Sequence, residues 1–216
     1  MKLYGYWRSS AAYRVRIAMY LKKLSFESIS VHLIKDGGEQ HKGSYSQLNP
    51  MHLVPTFVDE YVTLNQSLAI IDYLDEKYPN VSVYPQDSVI KAKVKALSLD
   101  IACEIHPVNN LRVQQYLVEE LSVSEQDKLM WSHHWMRVGF AAIEQQLATT
   151  AGQFCFGDDV TMADICLVPQ IYNANRFEVD LGEFPNITRI VANCNKLPAF
   201  ISALPENQKD ASIKIN

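Results

Sequence analysis

The 216-residue chain has no apolar run approaching the roughly 20 residues that a membrane span requires. Its opening "MKLYGYW" lacks the apolar core of a signal segment. A cytoplasmic protein with no membrane partner is therefore expected. The chain also lacks an excess of one charge. Its net charge is −4, with Lys, Arg, Asp and Glu mixed along the whole length, so no basic stripe offers a footprint for nucleic acid. Cysteine is scarce: Cys103, Cys155, Cys166 and Cys194 form no C-x-x-C pair, and their spacing matches neither a disulfide framework nor a zinc site. None precedes residue 103, so the first half carries no dithiol for redox exchange. There is no internal repeat and no low-complexity tract.

What remains is a chain about half apolar, long enough to bury a sizeable core in one large domain or two small ones. "KLYGYW" and "FESISVHL" read as strands, with a helical stretch from Ser10 to Lys23 between them, a βαβ unit. "HLVPTFVDE" and "VTLNQ" read as two short strands around an acidic turn. In "SLAIIDYLDEKYP", Leu68, Ile71, Leu74 and Tyr78 recur at helical spacing until Pro79 stops the helix. "YPNVSVYPQDS" has the composition of a linker. Beyond it strand signals vanish and helical patterns run on: "VIKAKVKALSLDIACEI", "SEQDKLMWSHHWMRVGFAAIEQQLA", "TMADICLVPQIYNANRF" and a shorter helix before "LPAF". The expectation is an α/β domain over 1–83 and an all-α domain over 88–216.

Three short motifs stand out. In "YWRSSAAYRVRIA", Ser10 can cap the first helix, leaving Ser9 beside Arg8 near free N–H groups where an anion is stabilised; for a serine pair alone, a simple turn is the favoured reading. Lys22 and Lys23 suit that helix's negative C-terminal end. In "HLVPT", Pro55 cannot donate to a ladder and belongs at a strand start or in a cis turn, so Val54 can offer its N–H and C=O to an extended peptide. An edge strand blunted by proline explains this motif, taken singly, about equally well. In "NQSLAII", Gln66 and Ser67 at a helix N-terminus can hold a carboxylate, or Ser67 is a cap and nothing more.

Elsewhere, Pro107 in "ACEIHPVNNLRV" removes the helical bond to the Cys103 carbonyl and predicts a kink. Cys103 and His106 share a face but lack further ligands, and His133 and His134 read as ordinary helix residues, so no metal is expected. Thr161 and Asp164 in "TMADICLVP" resemble a capping box with Asp in place of Glu or Gln, a structural role.

"SSAAYRVRIA" matches the first-helix signature S-S-C-x-x-R-V-R-I-A of zeta-class glutathione transferases except at Ala11. The resemblance extends through "HLIKDGGEQ", "LNPMHLVPT", "NQSLAIIDYL", "IHPVNNLRV" and "GDDVTMADICLVPQIYNANRFEVDL", nearly the whole chain. It implies the glutathione transferase fold, a thioredoxin-like N-terminal domain followed by an all-α domain, with glutathione as cofactor and a homodimer as the assembly. It further implies that Ser9 or Ser10 holds the glutathione sulfur, Ser9 foremost. Gln40, Val54, Gln66 and Ser67 would hold the peptide, with His106, Asn110, Leu111 and Arg112 lining the helical side.

The implied activity is cis–trans isomerisation of maleylacetoacetate to fumarylacetoacetate in tyrosine and phenylalanine catabolism, and the small diacid substrate would meet Arg8, Arg112 and Arg176. Maleylpyruvate isomerisation, conjugation or dehalogenation of small α-halo acids, and a non-catalytic interaction module are the alternatives. Ala11 stands where the family usually has cysteine, which puts in doubt any role for a protein thiol there.

Overall fold

The structure, a computed structural model, describes residues 1–212. It divides into two compact units, one made of residues 1–82 together with residues 197–212, the other of Val83–Lys196.

The first unit is built on a four-stranded sheet: β1 (Lys2–Gly5), β2 (Glu27–Ser30), β3 (Thr56–Val58) and β4 (Thr63–Asn65), in the order β2-β1-β3-β4. β1 and β2 are parallel, as the intervening α1 (Ser10–Leu21) requires, while β3 runs antiparallel to both β1 and β4. A one-turn helix α2 (Gly43–Ser46) precedes β3, and α3 (Ser67–Lys77) follows β4. Leu3 and Phe57, paired across β1 and β3, are 2% and 0% exposed. They belong to a core with Val15, Ile17 and Met19 of α1 and Ile70, Ile71 and Leu74 of α3.

α1 is buried almost all round because α3 and a C-terminal helix α9 (Pro198–Ala203) both pack on it. That is why its apolar stripe is broad and even Arg14 and Arg16 are inside. Lys22, expected to complement the end of α1, reaches instead to α3. Its buried ammonium lies 2.7 Å from Asp75 and donates to the carbonyls of Tyr78 and Val81.

The second unit is helical. α4 (Ser88–Leu99) is capped by Asp87, whose Oδ1 accepts from the N–H groups of Val89 and Ile90. It continues into a π-helical turn, Asp100–Ile105, with the His106 N–H bonded to the Ile101 carbonyl, and then a 3-10 turn, Pro107–Asn109. The expected break at Pro107 is thus present, absorbed by widening the turn before it. Gly139, in α6 (Glu125–Thr150), faces this turn: a Cβ there would lie 2.3 Å from the Ile105 side chain. α5 (Leu111–Glu119), α7 (Met162–Arg176) and α8 (Pro185–Cys194) complete the unit. α7 is its axis, with every residue from Met162 to Ile171 buried. At its start Asp164 Oδ2 accepts from the N–H and hydroxyl of Thr161, and Oδ1 from the Cys155 N–H, so the capping pair is present and wholly buried.

Three expectations are corrected. The second domain was expected to run over 88–216, but from Leu197 the chain returns to the first unit, where Phe200 and Ala203 are fully buried; the last four residues of that range lie outside the described ones. The segment read as a linker is docked, since the buried Val83 accepts from the Met162 N–H through its carbonyl. The helices α2 and α9 were not anticipated, and the extent of α5 around Arg112 was left undrawn. α2 and α9 are too short to display a period, and α5 begins immediately after the break at Pro107.

Candidate active site

The turn between β1 and α1 carries the serine pair. Tyr6 to Ser9 form a four-residue turn closed by the Ser9 N–H on the Tyr6 carbonyl at 3.0 Å. Ser9, not Ser10, is the N-cap of α1: its backbone is extended and its Oγ accepts from the Ala12 N–H at 3.2 Å. The sequence reading placed the cap one residue late because either serine satisfies the composition rule, whereas only the residue still outside helical geometry can turn its oxygen back onto the third helical N–H. With a lone pair of Ser9 Oγ occupied by Ala12, its O–H has no acceptor among the described residues and remains a donor at the positive end of a helix. Ser10 is the first helical residue and is 6% exposed. Arg8 lies with its guanidinium 4.8 Å from the Trp7 ring.

The second element is Val54. The Val54–Pro55 bond is cis, and Val54 lies outside the ladder, which starts at Thr56 opposite Asn65. Neither its N–H nor its C=O has a partner among the described residues. The preceding carbonyl, of Leu53, is held by Tyr45 Oη at 2.6 Å and by Asn49 Nδ2 at 2.7 Å. Tyr45 also bonds the buried Thr56 hydroxyl at 2.8 Å, and burial pushes its phenol above the ordinary value, so it stays neutral. Asn49, 1% exposed, accepts from the Met51 N–H and from Asn65 Nδ2 as well. These two residues brace the loop that presents Val54 and were missed by sequence reasoning. The signal available was an Asn before Pro50 in "LNPMHLVPT", a turn-forming pair.

The third element is the start of α3. Gln66 occupies the capping position with φ 66° and ψ 111°, a costly backbone for a residue with a side chain, and its side chain does not cap. Ser67 is therefore not the cap but the first helical residue, 5% exposed, and its Oγ accepts from Nη1 of the buried Arg14 at 3.3 Å. With its oxygen so engaged, Ser67 keeps its O–H as a donor, and among the described residues no side chain caps the first N–H groups of α3.

Gln40 is placed differently from its expected role. It is 6% exposed, and Nε2 donates inward to the Leu33 carbonyl at 3.2 Å. Gly38, at φ 96°, is required beside it, because a Cβ there would lie 2.5 Å from the Gln40 amide.

In the helical unit the expected residues also gather. Asn110 caps α5 through the Arg112 N–H at 3.2 Å and lies 3.4 Å from His106 Nε2. Leu111 is half-buried and Arg112 exposed. At the end of α7, Arg176 Nη2 donates to Asn173 Oδ1 at 3.1 Å, and Asn173 Nδ2 donates to Asn109 Oδ1 at 3.0 Å. Arg176 is thereby tied to the 106–112 loop, with its guanidinium 4.5 Å from the Phe177 ring.

Comparison with known proteins identifies the family of the chain. Residues 3–82 match the family model "Glutathione S-transferase, N-terminal domain", and residues 139–193 match "Glutathione S-transferase, C-terminal domain". A probable maleylacetoacetate isomerase of Vibrio cholerae is 52% identical over 97% of this chain and 97% of its own. A holo structure of a maleylpyruvate isomerase, described as a bacterial glutathione transferase of the zeta class, superposes with a TM-score of 0.94 at 41% identity, covering 97% of this chain and 99% of that one. A maleylacetoacetate isomerase of Methylobacterium extorquens, solved with bound malonate and glutathione, superposes with a TM-score of 0.92 at 35% identity over 96% of this chain and 98% of its own. The chain belongs to the glutathione S-transferase family, in its zeta class.

Proposed function

We propose that this protein is a glutathione-dependent cis–trans isomerase acting on maleylacetoacetate. The observation that carries the reading is the Ser9 hydroxyl, fixed as the cap of α1 with its hydrogen available, in a chain 52% identical to a probable maleylacetoacetate isomerase. Glutathione fits the first unit on two features of the structure. Val54 offers an unpaired N–H and C=O as a peptide backbone needs, and the start of α3 offers the uncapped N–H groups and the Ser67 hydroxyl that a carboxylate needs.

Glutathione, when bound, would supply a thiol nucleophile for reversible addition to the cis double bond. Ser9 would donate a hydrogen bond to the sulfur, and the N-terminus of α1 would favour negative charge there, so that the thiolate form is stabilised. Val54 aligns the peptide. Gln66 and Ser67 hold its carboxylate end, with Arg14 turning the Ser67 hydrogen outward. Gln40 supports the loop near the peptide from within. Arg8, Arg112 and Arg176 are assigned to the diacid's carboxylates, which a guanidinium binds in bidentate fashion, and His106 and Asn110 to the wall of the substrate site. Ala11 removes a protein thiol beside Ser9 without touching this chemistry, since the nucleophile is the ligand's own.

A homodimer, a cytoplasmic setting and a place in tyrosine catabolism complete the proposal. Among the described residues no helix is long and apolar enough to cross a membrane. Maleylpyruvate is the second substrate to test, because the zeta-class neighbour at TM-score 0.94 is named for it. The test is to follow fumaryl product from maleylacetone, maleylacetoacetate and maleylpyruvate with and without glutathione. Product from the first two only with glutathione supports the reading. Glutathione binding without isomerisation of any would turn it toward conjugation or dehalogenation, and no glutathione binding toward a non-catalytic module.

A further inference from the structure

In the turn that presents Ser9, the N–H and C=O of Trp7 are both held by hydrogen bonds that lead to the far end of the chain. In a turn from Tyr6 to Ser9, the closing bond uses the Tyr6 carbonyl and the Ser9 N–H. The N–H and C=O of Trp7 are left to find other partners. The Trp7 N–H donates to Oδ2 of Asp210 at 3.0 Å, 203 residues away. The Trp7 carbonyl accepts from Nη2 of Arg16 at 3.0 Å.

Each of these partners is itself anchored. Asp210 Oδ2 also accepts from the Ser30 hydroxyl at 3.0 Å, at the end of β2. Arg16 is 3% exposed, and its Nε donates to the carbonyl of Ala203, the last residue of α9, at 3.1 Å. The C-terminal segment thus reaches Trp7 at two points, through Ala203 by way of Arg16 and through Asp210 directly. Trp7 also carries the Arg8 guanidinium on its ring.

We propose that the segment from Leu197 to Asp210 is a positioning strap for the catalytic turn, with Asp210 its fastening residue: by fixing the Trp7 peptide it sets the direction of Arg8 and Ser9. The inference rests on the functional reading above and adds to it a residue that touches neither cofactor nor substrate. The physical reason is that a turn held by one bond can exchange between forms by rotating its central peptides, whereas bonds to Trp7 from both sides remove that freedom. A hydroxyl misdirected by about 1 Å loses much of its effect on a reacting atom.

The test uses the full chain with Asp210→Ala, Asp210→Asn and Ser30→Ala. Exchange of the Trp7 amide is measured in the glutathione-free protein, alongside melting temperature, kcat and the KM for glutathione. Asp210→Ala is expected to speed Trp7 exchange and to lower kcat about tenfold, while the KM for glutathione stays within about twofold. Asp210→Asn keeps an acceptor oxygen and restores both exchange and rate. Ser30→Ala loosens the carboxylate and gives the same pattern at about two- to threefold. It carries the test by itself if Asp210→Ala does not fold.

Faster Trp7 exchange in Asp210→Ala with an unchanged rate would overturn the strap, as would unchanged exchange and rate in Ser30→Ala, or an Asp210→Asn that behaves like alanine. Absence of turnover in the unaltered protein would overturn the functional reading itself, a different outcome from a normal wild-type rate that the Asp210 variants leave untouched.

Discussion

Replacing Ser9 by alanine removes two interactions of different kinds, and their magnitudes separate them. As the cap of α1, Ser9 Oγ satisfies the Ala12 N–H; losing it costs about 1 kcal/mol, which for a chain of this size lowers the melting temperature by about 2–4 °C. As donor to the glutathione sulfur, the same hydroxyl makes a hydrogen bond to a charged group, worth about 1.5–3 kcal/mol, or roughly ten- to hundredfold in turnover at about 1.4 kcal/mol per decade. Removing a donor that favours the thiolate raises the bound thiol's pKa. The rate loss is therefore largest at low pH and partly recovered as pH rises.

Ser9→Asp divides the two roles. A carboxylate caps as well as a hydroxyl and suits the helix N-terminus, so the melting temperature recovers, but it opposes a thiolate and turnover stays lost. Ser10→Ala, in the first helical position, costs less turnover than Ser9→Ala. Steady-state rates across pH with thermal melts of the three variants decide the matter. A Ser9→Ala protein that melts early yet turns over normally, or a larger rate loss in Ser10→Ala, would refute the reasoning.

Three further outcomes are expected. Arg176→Ala should raise the KM for the diacid about tenfold while glutathione affinity measured by calorimetry stays within about twofold; equal loss of both would remove Arg176 from the substrate side. Asp164→Ala leaves the buried Thr161 and Cys155 N–H groups without their carboxylate and should cost about 2–4 kcal/mol in denaturant unfolding, with kcat per folded molecule unchanged. Asp59 is pushed up by burial, but bonds from Lys77, Tyr73 and the Tyr61 and Val62 N–H groups outweigh this and hold it well below the usual carboxylate range. Its contribution is therefore fully present above about pH 4 and is lost progressively as pH falls below that. Asp59→Asn should be less stable than the parent at pH 7, and the gap should close on acidification.

The elements with strong periods were legible. The βαβ start, the two short strands around an acidic turn and the long helices α6 and α7 fall where alternation or helical spacing placed them, within a few residues. What failed was decided by tertiary contact. The return of the chain from Leu197 to α1 leaves no local mark, because "LPAFISALPENQKD" carries no period that names its neighbour; only the buried faces of Phe200 and Ala203 reveal it.

At the site, residue type was readable and exact duty was not. Both caps were placed one residue late, at Ser10 and Ser67, since capping depends on the backbone angles of Ser9 and Gln66 rather than on composition. The bracing of Val54 by Asn49 and Tyr45, and of Trp7 by Arg16 and Asp210, joins residues distant in sequence. Arg14 shows the limit most plainly. In sequence it is one more cation on a helix near the serine pair, and in the fold it is buried against Ser67, 53 residues on.

The central claim, isomerisation through a ligand's thiol held by Ser9, is tested most directly by following maleylacetone isomerisation by the pure protein with glutathione, with S-methylglutathione and with neither. Turnover with glutathione alone, returning it unconsumed, is the predicted result. Equal turnover without glutathione, or with the blocked thiol, would contradict the account.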